Sequence, residues 1–202
     1  MDRGFDFYAP QVFQDESGRW ILIGWMGRPG MPYDHEQTLR NGWIHALTIP
    51  QELYINAEGQ LCQRPVKELE QMRTDGVTEE FVNKFDLSVT VCFELKLSMK
   101  APKEEFELKL RESASLCYKN EVLTLDLTGC GAGRTVRGVR IPKIHSLWIL
   151  SDTSSVEIFI NDGEEVFTTR IYDSMAELHV TLESKWMCGW MEYYPLRTGN
   201  NN

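Results

Sequence analysis

Short runs of aromatic and β-branched residues, many of them alternating apolar with polar, recur along most of this chain. In the first third they fall at Tyr8–Gln14, Trp20–Met26, 43–49 and 61–63, separated by turn signals at Glu16-Ser17-Gly18, 27–32 and Asn56-Ala57-Glu58-Gly59. Four short strands in succession predict one antiparallel meander, such as a single propeller blade. A helix-like segment follows from Pro65 to Arg73. Pro65 suits a first-turn position, Val66, Leu69 and Met72 recur at near-helical spacing, and Gly76 can end it. This segment reads as a connector.

Beyond Phe81 the alternation lengthens. Val89, Val91, Phe93, Leu95 and Leu97 interleave with Thr90, Cys92, Glu94, Lys96 and Ser98, which predicts a strand with one buried and one solvated face. Phe106, Leu108 and Leu110 repeat the pattern, and further strands are expected at 115–119, 122–127, 147–150, 156–160, 165–171 and 176–182. Asn161-Asp162-Gly163 between two of them is a hairpin turn signal. So many paired strands with so little helix predict an antiparallel β-sandwich. The expected class is all-β: one blade-like sheet, then a sandwich. No internal repeat is visible, and a propeller cannot close with one blade.

Composition narrows the partners. The 202 residues carry 21 Lys+Arg against 30 Asp+Glu, a net charge of −9, with no basic block, so neither nucleic acid nor an anionic membrane surface is expected to bind. No apolar run has the length of a membrane span. The five cysteines (Cys62, Cys92, Cys117, Cys130, Cys188) are scattered and no secretory signal opens the chain, which predicts reduced thiols and a cytoplasmic location. His35, His45, His145 and His179 also stand alone, so no metal or other cofactor is expected.

Candidate chemistry is sparse. Asp2 and Asp6, followed by Phe7 and Tyr8, could contact a hydroxyl-rich ligand backed by aromatic rings; turn and strand-edge roles are the commoner use of such aspartates. Trp20, Trp25 and Trp43 crowd the first 45 residues. Trp20 and Trp43 are expected in the core, and Trp25, just before the 27–32 loop, can face a pocket. The run Gly129-Cys130-Gly131-Ala132-Gly133-Arg134 contains GxGxG, but strands flank it, so it reads as a flexible hairpin rather than a phosphate loop. No catalytic constellation emerges from the residues alone.

Several stretches resemble a known family. DRGFDFYAPQ (2–11), GRWILIGWMG (18–27), GWIHALTIPQEL (42–53) and LCQRPVKELEQMR (61–73) resemble consecutive motifs of glycoside hydrolase family 32, nearest its bacterial sucrose-6-phosphate hydrolase and β-fructofuranosidase (invertase) branch. SDTSSVEIFINDGEEVFTTRIY (151–172) resembles the hallmark of that family's C-terminal sandwich.

The resemblance implies a five-bladed propeller followed by a sandwich, and a retaining mechanism with a nucleophile and an acid/base carboxyl about 5 Å apart. It divides this chain into a last blade (1–64), a linker with a short helix (65–80) and the sandwich (81–202). The family's Trp-Met-Asn-Asp-Pro-Asn, Arg-Asp-Pro and Glu-Cys motifs do not occur in these residues, which are expected to begin at the fifth blade. Two substrate-binding positions carry over: Asp2 on the funnel wall and Trp25 beside the sugar. Asp6 and Tyr8 are implied to hold the innermost strand. The expectation is the C-terminal part of a glycosidase acting on sucrose, sucrose-6-phosphate or related fructosides, inactive by itself, with no catalytic residue of its own. It is expected to self-associate through residues 1–60 or to meet the missing blades. The alternative is a noncatalytic carbohydrate-binding or oligomerisation module.

Overall fold

The computed structural model describes residues 2–101, 103–111, 114–173 and 178–198. Two antiparallel sheets account for most of them. The first holds β1 (Tyr8–Gln14), β2 (Trp20–Met26), β3 (Ala46–Leu47), β4 (Gln51–Ile55) and β5 (Leu61–Pro65), in the order β1-β2-β4-β5 with β3 also on β2. Its turns are closed by their own side chains. The Asp15 carboxylate accepts from the Ser17 and Arg19 amides, and Asn56 accepts from those of Glu58 and Gln60.

Two local expectations change here. The strand expected over 43–49 shrinks to two residues, because Pro50 has no N–H to extend a ladder; β4 begins just after it and was not foreseen. A short helix, α1 (Glu36–Arg40), occupies the loop beyond β2, while the connector at 65–73 is a 3-10 helix, Lys67–Met72.

The second sheet holds β6 (Val77–Val89), β7 (Phe93–Met99), β8 (Phe106–Leu110), β9 (Ala114–Lys119), β10 (Val122–Asp126), β11 (Val136–Arg140), β12 (Ser146–Asp152), β13 (Ser155–Ile160), β14 (Glu165–Arg170) and β15 (Leu178–Pro195). The hydrogen-bonded order is β11-β10-β9-β8-β15-β7-β12-β13-β14, with β6 also on β15. The expected strand through Val89–Leu97 is thus two strands, and β6 opens at Val77, inside the segment read as linker.

One ladder becomes two layers at β15. Its first half pairs with β8 and the end of β6; after a register shift between Glu183 and Cys188, its second half pairs with β7 and the start of β6. Val89 lies opposite Leu178 and Phe93 opposite Pro195. The four residue steps between Val89 and Phe93 reach at most about 14 Å, whereas the ends of a straight strand as long as β15 stand about 55 Å apart. The ribbon is therefore bent double, and its two arms sandwich a core that includes Leu95, Leu116, Ile149, Ile158, Phe167 and Leu182.

The small sheet docks on the β12–β14 edge of this sandwich. Residues 2–6 run beside β14, with the Arg3 amide donating to the Val166 carbonyl (2.7 Å) and that of Asp6 to Thr168 (3.1 Å). At the other end, Gly163 in the β13–β14 turn lies against the backbone of Gln63 on β5. Between them, buried Glu157 of β13 accepts from the Ile49 amide (2.8 Å) and the Gln51 side chain (2.9 Å).

Candidate functional site: an aromatic wall at the seam

Trp25 sits near the end of β2, where backbone pairing sets it opposite Tyr8. The indole is half-buried, tilted against Tyr8 (6.1 Å between centroids) and edge-on to His45 (4.8 Å). His45 stands edge-on to His35 (5.4 Å), and His35 Nδ1 is 2.8 Å from the Tyr172 hydroxyl, just past β14. A continuous file of rings thus runs from the small sheet onto the sandwich. Burial first, then the nearby Arg134 guanidinium, holds His35 below its ordinary value; burial and then Arg170 do the same for His45. Both imidazoles are therefore neutral at pH 7, which suits hydrogen bonding rather than charge pairing.

Asp2 lies on the strip bonded to β14. Its Oδ1 accepts from the amides of Gly4 (2.7 Å) and Thr168 (3.2 Å), which leaves Oδ2 clear of backbone donors. Burial pushes its carboxyl up to about 6, against the opposing pull of the Thr168 hydroxyl and the two amides. Asp2 and Trp25 both belong to the small sheet's side of the seam, but among the described residues no hydrogen bond or ring contact joins them.

Other readings shift. Trp20 and Trp43 are not core residues: Trp20 is about half exposed, and Trp43 stacks under the Arg170 guanidinium at 4.9 Å. Ile21, next to Trp20, is buried, because neighbours on a strand face opposite ways. Tyr8 is exposed, whereas Asp6 is fully buried in a two-pronged ion pair with Arg134 (2.6 Å for each prong). His35, His45, Tyr172 and Arg134 went unrecognised in the sequence. Their lone spacings carried no signal, since they meet only across the seam.

The chemistry available here is binding. A half-buried indole flanked by a phenol and a neutral imidazole offers a flat apolar face with hydrogen-bonding neighbours, the combination that suits a sugar ring. Glu157, the other carboxyl with a strongly raised value, has both oxygens engaged by the small sheet. A cavity of about 350 Å³ also opens at the seam, lined by Leu47, Ile49, Leu69, Leu150 and Leu196 with Glu157 in its wall; neither Asp2 nor Trp25 borders it. Among the described residues no cluster of three His, Cys, Asp or Glu could hold a metal ion, and no helix is long and apolar enough to cross a membrane.

Residues 1–65 match the sequence model for the N-terminal domain of glycosyl hydrolases family 32, and residues 63–187 match that for its C-terminal domain. The chain belongs to glycoside hydrolase family 32. A sucrose-6-phosphate hydrolase of Staphylococcus xylosus is 41% identical over 190 residues, covering 85% of this chain and 38% of that protein. Among solved structures, a sucrose-6-phosphate hydrolase from Lactobacillus gasseri superposes with a TM-score of 0.83 at 24% identity, over 97% of this chain and 42% of its own. A Bombyx mori β-fructofuranosidase, solved as a mutant in complex with sucrose, gives 0.80 at 25% identity, over 97% and 42%. The chain thus spans about two fifths of the length of these proteins.

Proposed function

We propose that these residues form the C-terminal part of a family 32 glycosidase that hydrolyses sucrose, sucrose-6-phosphate or a related β-fructofuranoside, and that they supply one wall of its sugar site through Asp2 and Trp25. The observation that carries this is the unbroken, ordered match to both family domains over 1–187, alongside a half-buried Trp25 set among hydrogen-bonding rings. The stretch 1–64 is then the last blade of the propeller. The catalytic carboxylates lie in motifs that this sequence does not contain, so the chain alone does not turn over substrate. Cys62, Cys92, Cys117 and Cys188 are thiols scattered over both sheets, which supports a reducing, cytoplasmic setting.

The test is reconstitution. The 202-residue chain is assayed on sucrose and sucrose-6-phosphate, alone and mixed with the N-terminal remainder of the Staphylococcus xylosus relative. Turnover is expected only in the mixture and is lost with Trp25→Ala. Turnover by the chain alone overturns the proposal.

A second reading, a noncatalytic sugar-binding or oligomerisation module, has one observation in its favour. Trp186 (75% exposed) and Trp190 (46%) stand out from β15, on the sandwich itself. Saturable heat with fructans, abolished by Trp186→Ala and untouched by Trp25→Ala, would favour it.

A further inference from the structure

The glycine-rich run at 129–134, which the sequence presents as an idle hairpin between β10 and β11, is a built clamp. The Leu127 carbonyl accepts from the Cys130 (3.1 Å) and Gly131 (2.7 Å) amides, and the Gly131 carbonyl from the Arg134 amide (3.1 Å) and guanidinium (2.9 Å). So closed, the loop docks on the small sheet's long loop. The Asp34 amide donates to the Ala132 carbonyl at 2.7 Å. Gly133 adopts φ +96°, and a Cβ there would stand 2.5 Å from the Pro32 carbonyl oxygen, so only glycine permits this approach.

Arg134 projects from the clamp into the seam and is fully buried. It forks onto both oxygens of Asp6; Asp6 Oδ2 also accepts from the Arg170 amide (2.9 Å) and the Thr169 hydroxyl (3.3 Å). Its guanidinium lies over the Tyr33 ring at 4.5 Å and near that of Tyr172 at 5.7 Å. Tyr172 bonds His35, His35 meets His45, and His45 braces Trp25. One side chain of the sandwich thus ties the 2–6 strip, the 33–35 loop and the end of β14 to the ring file that ends at the indole.

We propose that the 129–134 hairpin is the element by which the sandwich sets the sugar-facing wall, with Arg134 as the positioning residue for Trp25. The sugar-facing part rests on the reading of Trp25 given above; the positioning part does not. A planar fork that pairs and stacks at once is not replaced by lysine, so Arg134→Lys keeps the charge and loses the geometry.

The experiment follows the six indole N–H signals and the His35 titration by NMR in the 202-residue chain, with Trp25→Phe assigning the Trp25 signal. It then titrates fructose and sucrose into that chain mixed with the N-terminal remainder of the Staphylococcus xylosus relative. In Arg134→Lys and Gly133→Ala the Trp25 indole and His35 signals are expected to move while those of Trp148 and Trp186, outside this ring file, hold still. Sugar binding should weaken by up to about tenfold, as for one displaced hydrogen-bonded contact. If Trp25 and His35 stay put in both variants, the positioning role is overturned. If they move but sugar binding by the mixture with the N-terminal remainder is unchanged, positioning stands and the reading of Trp25 as a sugar contact fails. If Arg134→Lys unfolds the chain, Gly133→Ala, which leaves the ion pair whole, decides by the same signals.

Discussion

Glu157 of the sandwich and Gln51 of the small sheet are both buried and share a 2.9 Å hydrogen bond across the seam. Burial pushes the Glu157 carboxyl up to about 8, with the Asp2 and Asp152 charges adding to it against the opposing pull of Ile49 and Gln51. In the unfolded chain a glutamic acid releases its proton near pH 4, at about 4.3. Between those values Glu157 holds more proton in the folded protein than in the unfolded one, so its contribution is full below about pH 4 and is lost as pH rises toward 8. The lowered His35 and His45 act in the opposite sense as they lose their protons. Asp2, raised to about 6, adds to the loss between about pH 4 and 6. For Glu157 the slope is about 1.4 kcal/mol per pH unit. Glu157→Gln is expected to flatten it and to leave the variant more stable than the parent at pH 8. Urea midpoints at pH 5, 6.5 and 8 check this; parallel curves for the two proteins would sink it.

The Asp6–Arg134 pair has no exposed side-chain surface on either partner. Removing one partner leaves the other as an uncompensated buried charge, at a cost of about 3–5 kcal/mol. Asp6→Leu and Arg134→Met should each destabilise by that order. The double variant should cost less than their sum by roughly 1–3 kcal/mol. A thermodynamic cycle from urea unfolding measures the coupling, and simple additivity would show the two residues to be independent.

Gly163, at φ +92°, has no room for a side chain, since a Cβ there would fall 1.7 Å from the Gln63 carbonyl oxygen. Gly163→Ala is therefore expected to cost more than about 1 kcal/mol and to loosen the small sheet rather than the sandwich. Hydrogen exchange reports this: amides of β4 and β5 should lose protection while those of β9 and β10 keep theirs.

All seven residues of β1 are exposed, Val12 and Phe13 among them, and β1 is the outer strand of its sheet. An unpaired apolar edge invites pairing with another chain. Light scattering of the 202-residue chain should show mass rising with concentration, and Phe13→Lys should suppress the rise. A constant monomer mass in both would refute self-association through this strand.

Much of the fold was legible where turn chemistry and alternation agree. The turn at Glu16-Ser17-Gly18 between β1 and β2, and Asn161-Asp162-Gly163 between β13 and β14, stand where their residues predict. Legibility failed where tertiary contacts override period. Gln51 is polar yet faces inward because Glu157 waits for it, so β4 did not read as a half-buried strand. The second half of β15 went unread because Ser184, Lys185 and Trp186 interrupt the alternation at the register shift. The site was less visible still. Asp2 and Trp25 came forward as candidates from their residue types and from resemblance, but Arg134 lies 128 residues from Asp6, and no local pattern marks two charges that meet only after docking.

The doubled ribbon of β6 and β15 has a consequence for how the chain is made. Gly189 pairs with Phe81, so partners about 100 residues apart must find each other before either layer has its central strand. During synthesis β6 through β14 leave the ribosome before that strand does. For seconds, at ordinary elongation rates, the sandwich is a set of hairpins with an open middle, and the small sheet has no finished surface on which to dock. Completion of both layers, and docking of the small sheet on them, therefore waits on β15.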